Sequence, residues 1–326
     1  MPSYSEVEKV LAVLRRVLRM RGYSLRTEES YLGSVRRFLR FHKRVSPGDL
    51  QAEHLERYLE YLAEDLRLAP ASRNLAASGI SFFFMHYLGS DAGRLVPRAR
   101  QGEVVPVVFS HSEAIGVIEL MRGKYRIIGR LLYGSGIRVS ECLSLRVKDL
   151  DFDLAQITVR DGKGARDRYT VLPRSLIDPL RNVVQHVAEV RARDRGHGGG
   201  WAALPGALHH KAPRAGFDLS WHFLFPAARE TPDEATGRLG RWHLHVTAVQ
   251  REVKRAIRSA GITKPATTHT FRHTFATETL RSGYDVRTVQ KLMGHKDIRI
   301  TMRYLHAIEQ TGLAVRSPLD RSTSGD

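Results

Sequence analysis

Towards the end of the chain, four residues of the types that phosphoryl transfer requires follow one another within a short segment. His269 and Arg272 lie three residues apart, a spacing that places two side chains on one face of a helix. His295 follows a glycine typical of a helix C-terminus, and Tyr304 comes nine residues later in an amphipathic pattern. Guanidinium and imidazole groups stabilise the negative charge that develops on a phosphodiester under attack, and a tyrosine hydroxyl could make that attack.

A further arginine, Arg138, could join this set from a distant part of the sequence. It follows residues 133–136 (YGSG) at the start of a predicted helix, and Glu141, three residues on, could hold its guanidinium in one orientation. The glycines fit neither a dinucleotide-binding loop, because Val139 replaces the third glycine, nor a nucleophile elbow, because position 133 is tyrosine. Taken alone, an Arg–Glu pair on a helix is more often a surface ion pair.

Lys163 lies at the tip of a predicted β-hairpin. Residues 156–160 and 168–172 alternate in polarity and are rich in β-branched side chains, and in the turn between them Lys163 is flanked by two glycines. The lysine could be only part of a flexible tip, and the turn lacks the spacing and the Ser or Thr of a Walker loop. Placed over a DNA backbone, it could instead donate a proton to a leaving oxygen.

Together these residues could carry out phosphoryl transfer on DNA without a metal. Tyr304 must lose a proton to attack and the leaving 5′ oxygen must gain one, steps that His269 and Lys163 could serve. The resulting phosphotyrosine conserves the bond energy, so a second DNA end can reverse the step without ATP. A zinc helix at His269 and His273 is disfavoured because position 270 is threonine rather than glutamate. The single cysteine, Cys142, excludes a multi-cysteine metal site, and we expect no metal and no cofactor.

The composition favours a nucleic acid as the partner. The 326 residues carry a formal net charge of +18 and the sequence pI is about 10.4. Basic residues exceed acidic ones both in residues 1–104 and in the remainder, so the charge is not confined to a tail, although a soluble protein that is merely basic stays an alternative. No apolar run approaches the roughly 20 residues of a membrane span and no signal-peptide pattern is present, so we expect a cytoplasmic protein with no membrane partner.

Four helical patterns with short connections predict an all-α domain in residues 1–92. The second pattern turns its apolar residues inward and leaves basic residues on other faces, which could bind DNA phosphates or could be solvated surface. These basic residues are Arg36, Arg37, Arg40 and Lys43. Residues 93–106 have no periodicity and contain glycine, proline and arginine, so they are predicted to be an interdomain linker.

Residues 107–326 are predicted to form a second domain of mixed α+β structure. Its patterns are mostly helical, and the hairpin is an island of strand, so the whole chain is predicted to be mainly α with a small antiparallel sheet. Residues 194–222 are rich in glycine and proline and interrupt the helical pattern, which indicates an insert. Residues 308–326 are predicted to be a C-terminal tail.

These motifs resemble those of the tyrosine recombinase (phage integrase) family. Residues 134–151 (GSGIRVSECLSLRVKDLD) resemble its first box, the turn 161–164 its lysine hairpin, and the strings HTFRHTFAT, LMGH and TMRYLH its second box. The resemblance implies that residues 22–42 lie in a DNA-gripping domain. It also implies that Tyr304 is the nucleophile and that the Glu141 carboxylate supports the site. The groups around the phosphate would be Arg138, Lys163, His269, Arg272 and His295.

Within the family, residues 200–227 most resemble the extra segment of integron integrases. In that subfamily the segment helps to recognise the folded single-stranded hairpin of gene-cassette sites, whose unpaired bases turn out of the helix. Aromatic rings can hold such bases by stacking, and the alternative is that the tryptophans only pack the insert onto the domain. The candidate contacts are Trp201, His209, His210 and Trp221.

The resemblance therefore implies a site-specific recombinase that integrates and excises gene cassettes. Its partner would be DNA, as a duplex attachment site and as folded single-stranded hairpin sites. A free monomer would assemble into a homotetramer on DNA, with the C-terminal tail packed on a neighbour. The alternatives are a phage-type or chromosome-resolving recombinase of duplex sites, a non-catalytic DNA-binding relative, and a type IB topoisomerase, which acts as a monomer without such an insert.

Overall fold

A computed structural model of the chain describes residues 4–91, 98–100, 102, 106–160 and 167–310. Contacts between Cα atoms divide the chain into two units, Met1–Val104 and Val105–Asp326. Each unit has its own hydrophobic core.

The first unit is all-helical, as the sequence patterns predict. Its described α-helices are α1 (Tyr4–Met20), α2 (Leu25–Phe41), α3 (Ala52–Glu64) and α4 (Pro70–His86), with a short 3-10 helix (Pro47–Asp49) between α2 and α3. Ser24 caps α2, because its hydroxyl accepts a hydrogen bond from the Thr27 amide at 3.1 Å. Small residues bring α2 and α4 together, since a Cβ on Gly79 would lie 3.1 Å from the Cβ of Ser34. Fully buried rings such as Phe38 and Phe83 fill the core between the helices.

The second unit is mostly helical with a small antiparallel sheet, which confirms the expected fold class. Its described helices are α5 (His111–Leu120), α6 (Lys124–Ser135), α7 (Val139–Ser144), α8 (Ile177–Gly196), α9 (Leu208–Lys211), α10 (Val246–Ser259), α11 (Thr268–Arg281), α12 (Val286–Met293) and α13 (Ile298–Gln310). One core cluster contains Ile128, Leu143 and Phe271, and a smaller one joins α11, α12 and α13 and includes Tyr304.

The sheet contains the predicted hairpin and one further short strand. Strands β1 (Leu150–Asp151), β2 (Gln156–Val159) and β3 (Arg168–Val171) pair in that order, all antiparallel. Ile157 lies opposite Thr170, and both side chains are buried. The turn that contains Lys163 lies outside the described residues.

The region between α8 and α10, the 197–245 segment, differs in extent from the insert predicted at 194–222. Helix α8 continues to Gly196, and strands β4 (Thr231–Pro232) and β5 (Leu239–Gly240) form a second antiparallel pair beyond the predicted end. The segment closes on itself, because Trp201 forms a β-bridge with Gly240. The closure depends on a pairing of residues distant in sequence, which local composition does not reveal.

Candidate active site

Arg272 is the buried centre of the site. Helix α11 is capped by Thr267, whose hydroxyl accepts a hydrogen bond from the His269 amide at 3.2 Å, and Arg272 follows in the second turn, 4% exposed. Its two terminal nitrogens donate to the carbonyl oxygens of Gly136 and Met293. Burial lowers the pKa of Arg272 to about 10, so the guanidinium stays charged at neutral pH.

Gly136 allows the loop before α7 to approach this arginine. Its backbone is left-handed, with φ at 63°, and an added Cβ would lie 2.2 Å from the Phe275 ring. Any residue with a side chain would therefore clash and would also carry the strain of positive φ. The glycine in the sequence motif thus places a carbonyl acceptor where Arg272 can reach it.

Arg138 is the N-cap residue of α7, one position outside the helix in which the sequence placed it. Its Nη1 donates to Glu141 Oε1 at 2.7 Å, and its backbone amide donates to Glu141 Oε2 at 2.7 Å. Arg168 binds the same carboxylate with two further hydrogen bonds of 3.0 and 2.8 Å. Burial opposes ionisation of Glu141, but hydrogen bonds from Arg168 and Arg138 outweigh it and lower the pKa to about 2.

Tyr304 lies on α13 with only 3% of its surface exposed. Its hydroxyl is 2.9 Å from His273 Nδ1, and its ring stacks beside that of His295 with 6.1 Å between centroids. Burial raises the pKa of Tyr304, and the nearby positive charges, above all that of Arg272, oppose the rise. The phenol is therefore protonated at neutral pH and must transfer its proton before it can attack.

His295 lies where the sequence predicts, directly after α12. Gly294 ends that helix in the left-handed conformation, with φ at 63°, and turns the chain towards Tyr304. The His295 Nδ1 is 2.9 Å from the Thr301 hydroxyl. Burial lowers the pKa of His295 to about 3, and the charge of Arg272 adds to the effect, so the ring is neutral at pH 7.

His269 is exposed at the edge of this cluster. Its ring centroid lies 6.4 Å from that of His273, one turn further along α11. It also lines a cavity of about 550 Å³ together with Lys254 and the start of α11. The structure thus brings five of the predicted residues together: Arg138, Glu141, Arg272, His295 and Tyr304. His269 lies beside them, and Lys163 lies outside the described residues.

Two residues of the site, His273 and Arg168, had no predicted role in it. His273 was considered only as a metal ligand, yet it lies four residues after His269 and so on the same helix face. Arg168 begins β3, and no local pattern marked its contact with Glu141. Within the described residues, no group of three or more His, Cys, Asp or Glu side chains is arranged to hold a metal ion.

The predicted DNA contacts of the first unit lie along α2 and just after it. Arg37, Arg40 and Lys43 are exposed. Arg36 is half-buried and its Nη2 lies 3.2 Å from Glu8 Oε1, so part of its charge is already paired. The first three are therefore the more accessible to phosphates.

Trp201 is buried, and its predicted role as a DNA contact is wrong for this structure. Only 1% of its surface is exposed, because its ring packs edge-on against Phe217 and an added Cβ on Gly216 would lie within 2.6 Å of it. Trp201 therefore packs within the 197–245 segment, which is close to the alternative that the sequence left open for the tryptophans. Trp242, which the sequence did not single out, is the exposed tryptophan at 51% and packs against Phe223.

The other predicted contacts of the 197–245 segment are accessible. Trp221 is half-buried, with Lys148 over its ring and Arg146 5.4 Å from the ring centroid. Burial lowers the pKa of Lys148 to about 8. His209 and His210 lie at α9 with ring centroids 4.0 Å apart; His209 is half-buried and His210 is exposed. None of the described helices is long and apolar enough to cross a membrane.

Comparisons with known proteins identify the family. Residues 113–311 match the phage integrase family, and residues 10–94 match the phage integrase N-terminal SAM-like domain. An integrase/recombinase from Escherichia coli is 43% identical over 314 residues, which cover 96% of this chain and 93% of the relative. The tyrosine recombinase XerA of Thermococcus kodakarensis is 30% identical over 304 residues, 92% of this chain and 91% of the relative. The chain belongs to the phage integrase family of tyrosine recombinases.

The fold is also that of solved members. A lambda integrase (75–356) dimer bound to a COC′ core site matches with a TM-score of 0.62 and 16% identity, over 90% of this chain and 96% of that one. The recombinase XerH bound to palindromic difH substrate matches with a TM-score of 0.61 and 16% identity, over 96% of this chain and 84% of that one. At such identities the likeness concerns the fold alone.

Proposed function

We propose that this protein is a site-specific DNA recombinase in which Tyr304 attacks a phosphodiester and forms a 3′-phosphotyrosine bond. The observation that carries the proposal is that the Tyr304 ring stacks beside His295 and lies within the electrostatic reach of Arg272 and Arg138. A scissile phosphate bound by these groups would lie next to the nucleophile. Relatives named as recombinases, and solved neighbours bound to DNA, support DNA as the substrate.

The chemistry follows from the charges around Tyr304. Arg138 and Arg272 would stabilise the non-bridging oxygens, because guanidinium groups that are already fixed in position need no reorganisation during the reaction. Neutral His295 would add a hydrogen bond through its Nε2 if Thr301 holds the other ring nitrogen. Lys163 would protonate the leaving 5′ oxygen, and His269 would contribute from the edge of the site. Since the protein supplies these charges, the proposed reaction needs no metal ion and no cofactor.

A covalent-adduct assay tests this proposal. Wild-type protein incubated with a nicked duplex attachment site in EDTA should give an adduct that survives denaturant. Tyr304→Phe should give none, whereas Tyr284→Phe, a change at an exposed tyrosine of the same unit, should behave as wild type. Absence of a wild-type adduct on any recombination substrate, or an adduct that persists in Tyr304→Phe, contradicts the proposed mechanism. A requirement for a divalent metal contradicts metal independence.

We further propose that the enzyme is an integron integrase that integrates and excises gene cassettes at folded single-stranded hairpin sites. The accessible groups of the 197–245 segment support this, because Trp221 and the paired rings of His209 and His210 are suited to holding bases outside a helix. The alternative is a phage-type or chromosome-resolving recombinase of duplex sites, and the names of the relatives, integrase/recombinase and tyrosine recombinase XerA, favour neither. In either case the enzyme would act as a homotetramer assembled on DNA from free cytoplasmic monomers.

Substrate structure separates these two possibilities. A cassette-site hairpin with unpaired bases should be cleaved at least 10-fold faster than the same sequence as a fully paired duplex. Trp221→Ala and His210→Ala should reduce only the reaction on the hairpin, and His186→Ala, a change at an exposed histidine of α8, serves as the control. Equal rates on the two substrates would favour the duplex-site recombinase.

The exposed basic residues of the first unit are proposed phosphate contacts. Each contact releases condensed counterions, so binding of DNA should weaken as salt rises. Replacing Arg40 or Lys43 by alanine should reduce the slope of log K against log salt concentration by about 1 and weaken binding alike for all sequences. An unchanged salt slope would place these residues in solvent in the complex.

A further inference from the structure

We infer that His273 accepts the phenolic proton of Tyr304 when the tyrosine attacks DNA, and is a catalytic residue of this enzyme. The inference rests on the proposed function, in which Tyr304 is the nucleophile. In the inference, His273 removes the phenolic proton of Tyr304, a step for which the sequence suggested His269.

The geometry is that of a donor and acceptor already in contact. The Tyr304 hydroxyl lies 2.9 Å from His273 Nδ1, within the range over which a positioned base can take a proton. The two rings lie 5.6 Å apart at an interplanar angle of 44°. His273 is half-buried on α11, and Tyr304 is buried on α13, so the packing of these helices holds the pair together.

The surroundings keep His273 ready to accept a proton. Burial lowers its pKa to about 4, and the neighbouring groups act in the same direction: His269 and Arg272 on α11, and Arg303 on α13. The ring is therefore neutral at physiological pH. A neutral ring carries one free lone pair, which can lie on Nδ1 facing the phenol. The Nδ1 of the other half-buried histidine of the site, His295, is hydrogen-bonded to Thr301 instead.

The proton balance of the cleavage step is then complete. As the bond from the Tyr304 oxygen to phosphorus forms, the phenolic O–H bond breaks and its proton moves to His273 Nδ1. The bond from phosphorus to the 5′ oxygen breaks, and the proposed proton donor, Lys163, protonates that oxygen. The phosphate brings negative charge beside His273, which favours the imidazolium. On rejoining, the imidazolium returns the proton to the departing phenolate.

An experiment can distinguish a His273 that only positions Tyr304 from a His273 that acts as the general base. His273→Asn places an amide atom at the location of Nδ1, so it can hold the phenol but cannot take its proton. Single-turnover cleavage of a nicked duplex by the full-length variant should slow about 10²- to 10⁴-fold, the range for loss of a general base. Rates within threefold of wild type would overturn the inference. Adduct formation by wild type but not by Tyr304→Phe confirms in the same assay that the proposed function itself holds.

A change of leaving group distinguishes the base from the acid. A substrate with sulfur in place of the bridging 5′ oxygen releases a thiolate, which needs no proton. This substrate should restore cleavage by Lys163→Ala, whose lost group is the acid, but not by His273→Asn. Restoration of His273→Asn to the wild-type rate on the sulfur substrate would contradict the assignment.

A change of nucleophile tests the same step from the other side. Incorporating a fluorinated, more acidic tyrosine at position 304 lets the phenol ionise without a base. At pH 8 this substitution should restore most of the activity lost in His273→Asn. If His273→Asn fails to fold, as judged by its melting curve, the fluorinated enzyme with His273 intact provides the test. Its cleavage rate should depend less steeply on pH than that of wild type, and identical pH profiles would overturn the inference.

Discussion

Arg168 and Glu141 are joined by two parallel hydrogen bonds, from Nη1 to Oε1 at 3.0 Å and from Nη2 to Oε2 at 2.8 Å. Both side chains are mostly buried, at 17% and 16% exposed. The same carboxylate binds Arg138 and lies 4.0 Å from Arg272, so one negative charge organises three arginines. Arg168 Nε also donates to the Leu292 carbonyl, which connects β3 to the end of α12.

Replacement of Arg168 by lysine should therefore reduce activity. Lysine keeps the charge but cannot form the two parallel bonds, so Glu141 and with it Arg138 lose their fixed orientation. We expect cleavage about 10-fold slower, since small misplacements of catalytic groups are costly. Single-turnover adduct formation measures the effect. Arg181→Lys, at an exposed arginine that pairs with Asp178, is the control and should leave the rate unchanged; equal rates for both variants would contradict the role given to Arg168.

Gly136→Ala should destabilise the second unit and weaken catalysis together. The new Cβ meets the Phe275 ring at 2.2 Å in addition to the strain of positive φ, so we expect a loss of at least about 2 kcal/mol. Gly261→Ala is the matched control, because its φ of 67° is similar and no atom lies within 4 Å of an added Cβ. Chemical denaturation followed by circular dichroism measures both variants. Equal losses would mean that backbone strain alone accounts for the effect.

Truncation of two tryptophans should separate a core residue from a surface residue. Trp201→Ala removes a fully buried ring and should lower the free energy of unfolding by about 3–5 kcal/mol. Trp242→Ala removes a ring that is 51% exposed and should cost much less. Urea titration of each variant gives the two values. A small loss for Trp201→Ala would indicate that the segment can repack around the cavity.

Stability should fall in mildly acidic solution because burial lowers the pKa of several histidines, and lowers it strongly for three of them. Burial lowers the pKa of His222 and His273 to about 4 and of His295 to about 3, below the ordinary value of 6.5. The stability that these neutral rings contribute is present above pH 6.5 and is lost as the pH falls towards 4. In that range the unfolded chain binds more protons than the folded chain does. Between pH 7.5 and 5, each of the three histidines should lower the free energy of unfolding by about 1–2 kcal/mol, a range that includes a reduction for screening by solvent.

Urea midpoints at the two pH values, at constant ionic strength, measure this loss. The carboxylates with lowered pKa, such as Glu141 at about 2, respond only at lower pH and do not contribute in this range. His222→Gln should reduce the difference between the midpoints, because one titrating ring is removed. Midpoints that do not change between pH 7.5 and 5 would contradict the buried neutral state of these rings.

Sequence patterns predicted the helices and most of the site because those features are local. The spacing of His269 and Arg272 fixes a helix face, and Gly294 marks the helix end that directs His295. The pairing of Tyr304 with His273 is not local, since it depends on how α13 packs on α11. Helical periodicity gives the face of each helix but not the partner that the face meets.

The same limit explains Arg168 and Trp201. Arg168 reaches Glu141 across 27 residues, and the direction of its side chain depends on the register of β3. Trp201 lies in a glycine-rich stretch that resembles an exposed loop, and its burial follows from pairing with Gly240. Both contacts join residues that are distant in the chain, which neither composition nor spacing specifies.

The position of Tyr304 on α13 has a consequence during protein synthesis. A ribosome makes Arg138, Arg272 and His295 before it makes the tyrosine, so the proposed phosphate-binding groups precede the proposed nucleophile in translation. A chain that stops before residue 304 lacks both this hydroxyl and a buried ring of the core that joins α11, α12 and α13. Premature termination should therefore remove the proposed cleavage activity and weaken the packing of this part of the second unit at the same time.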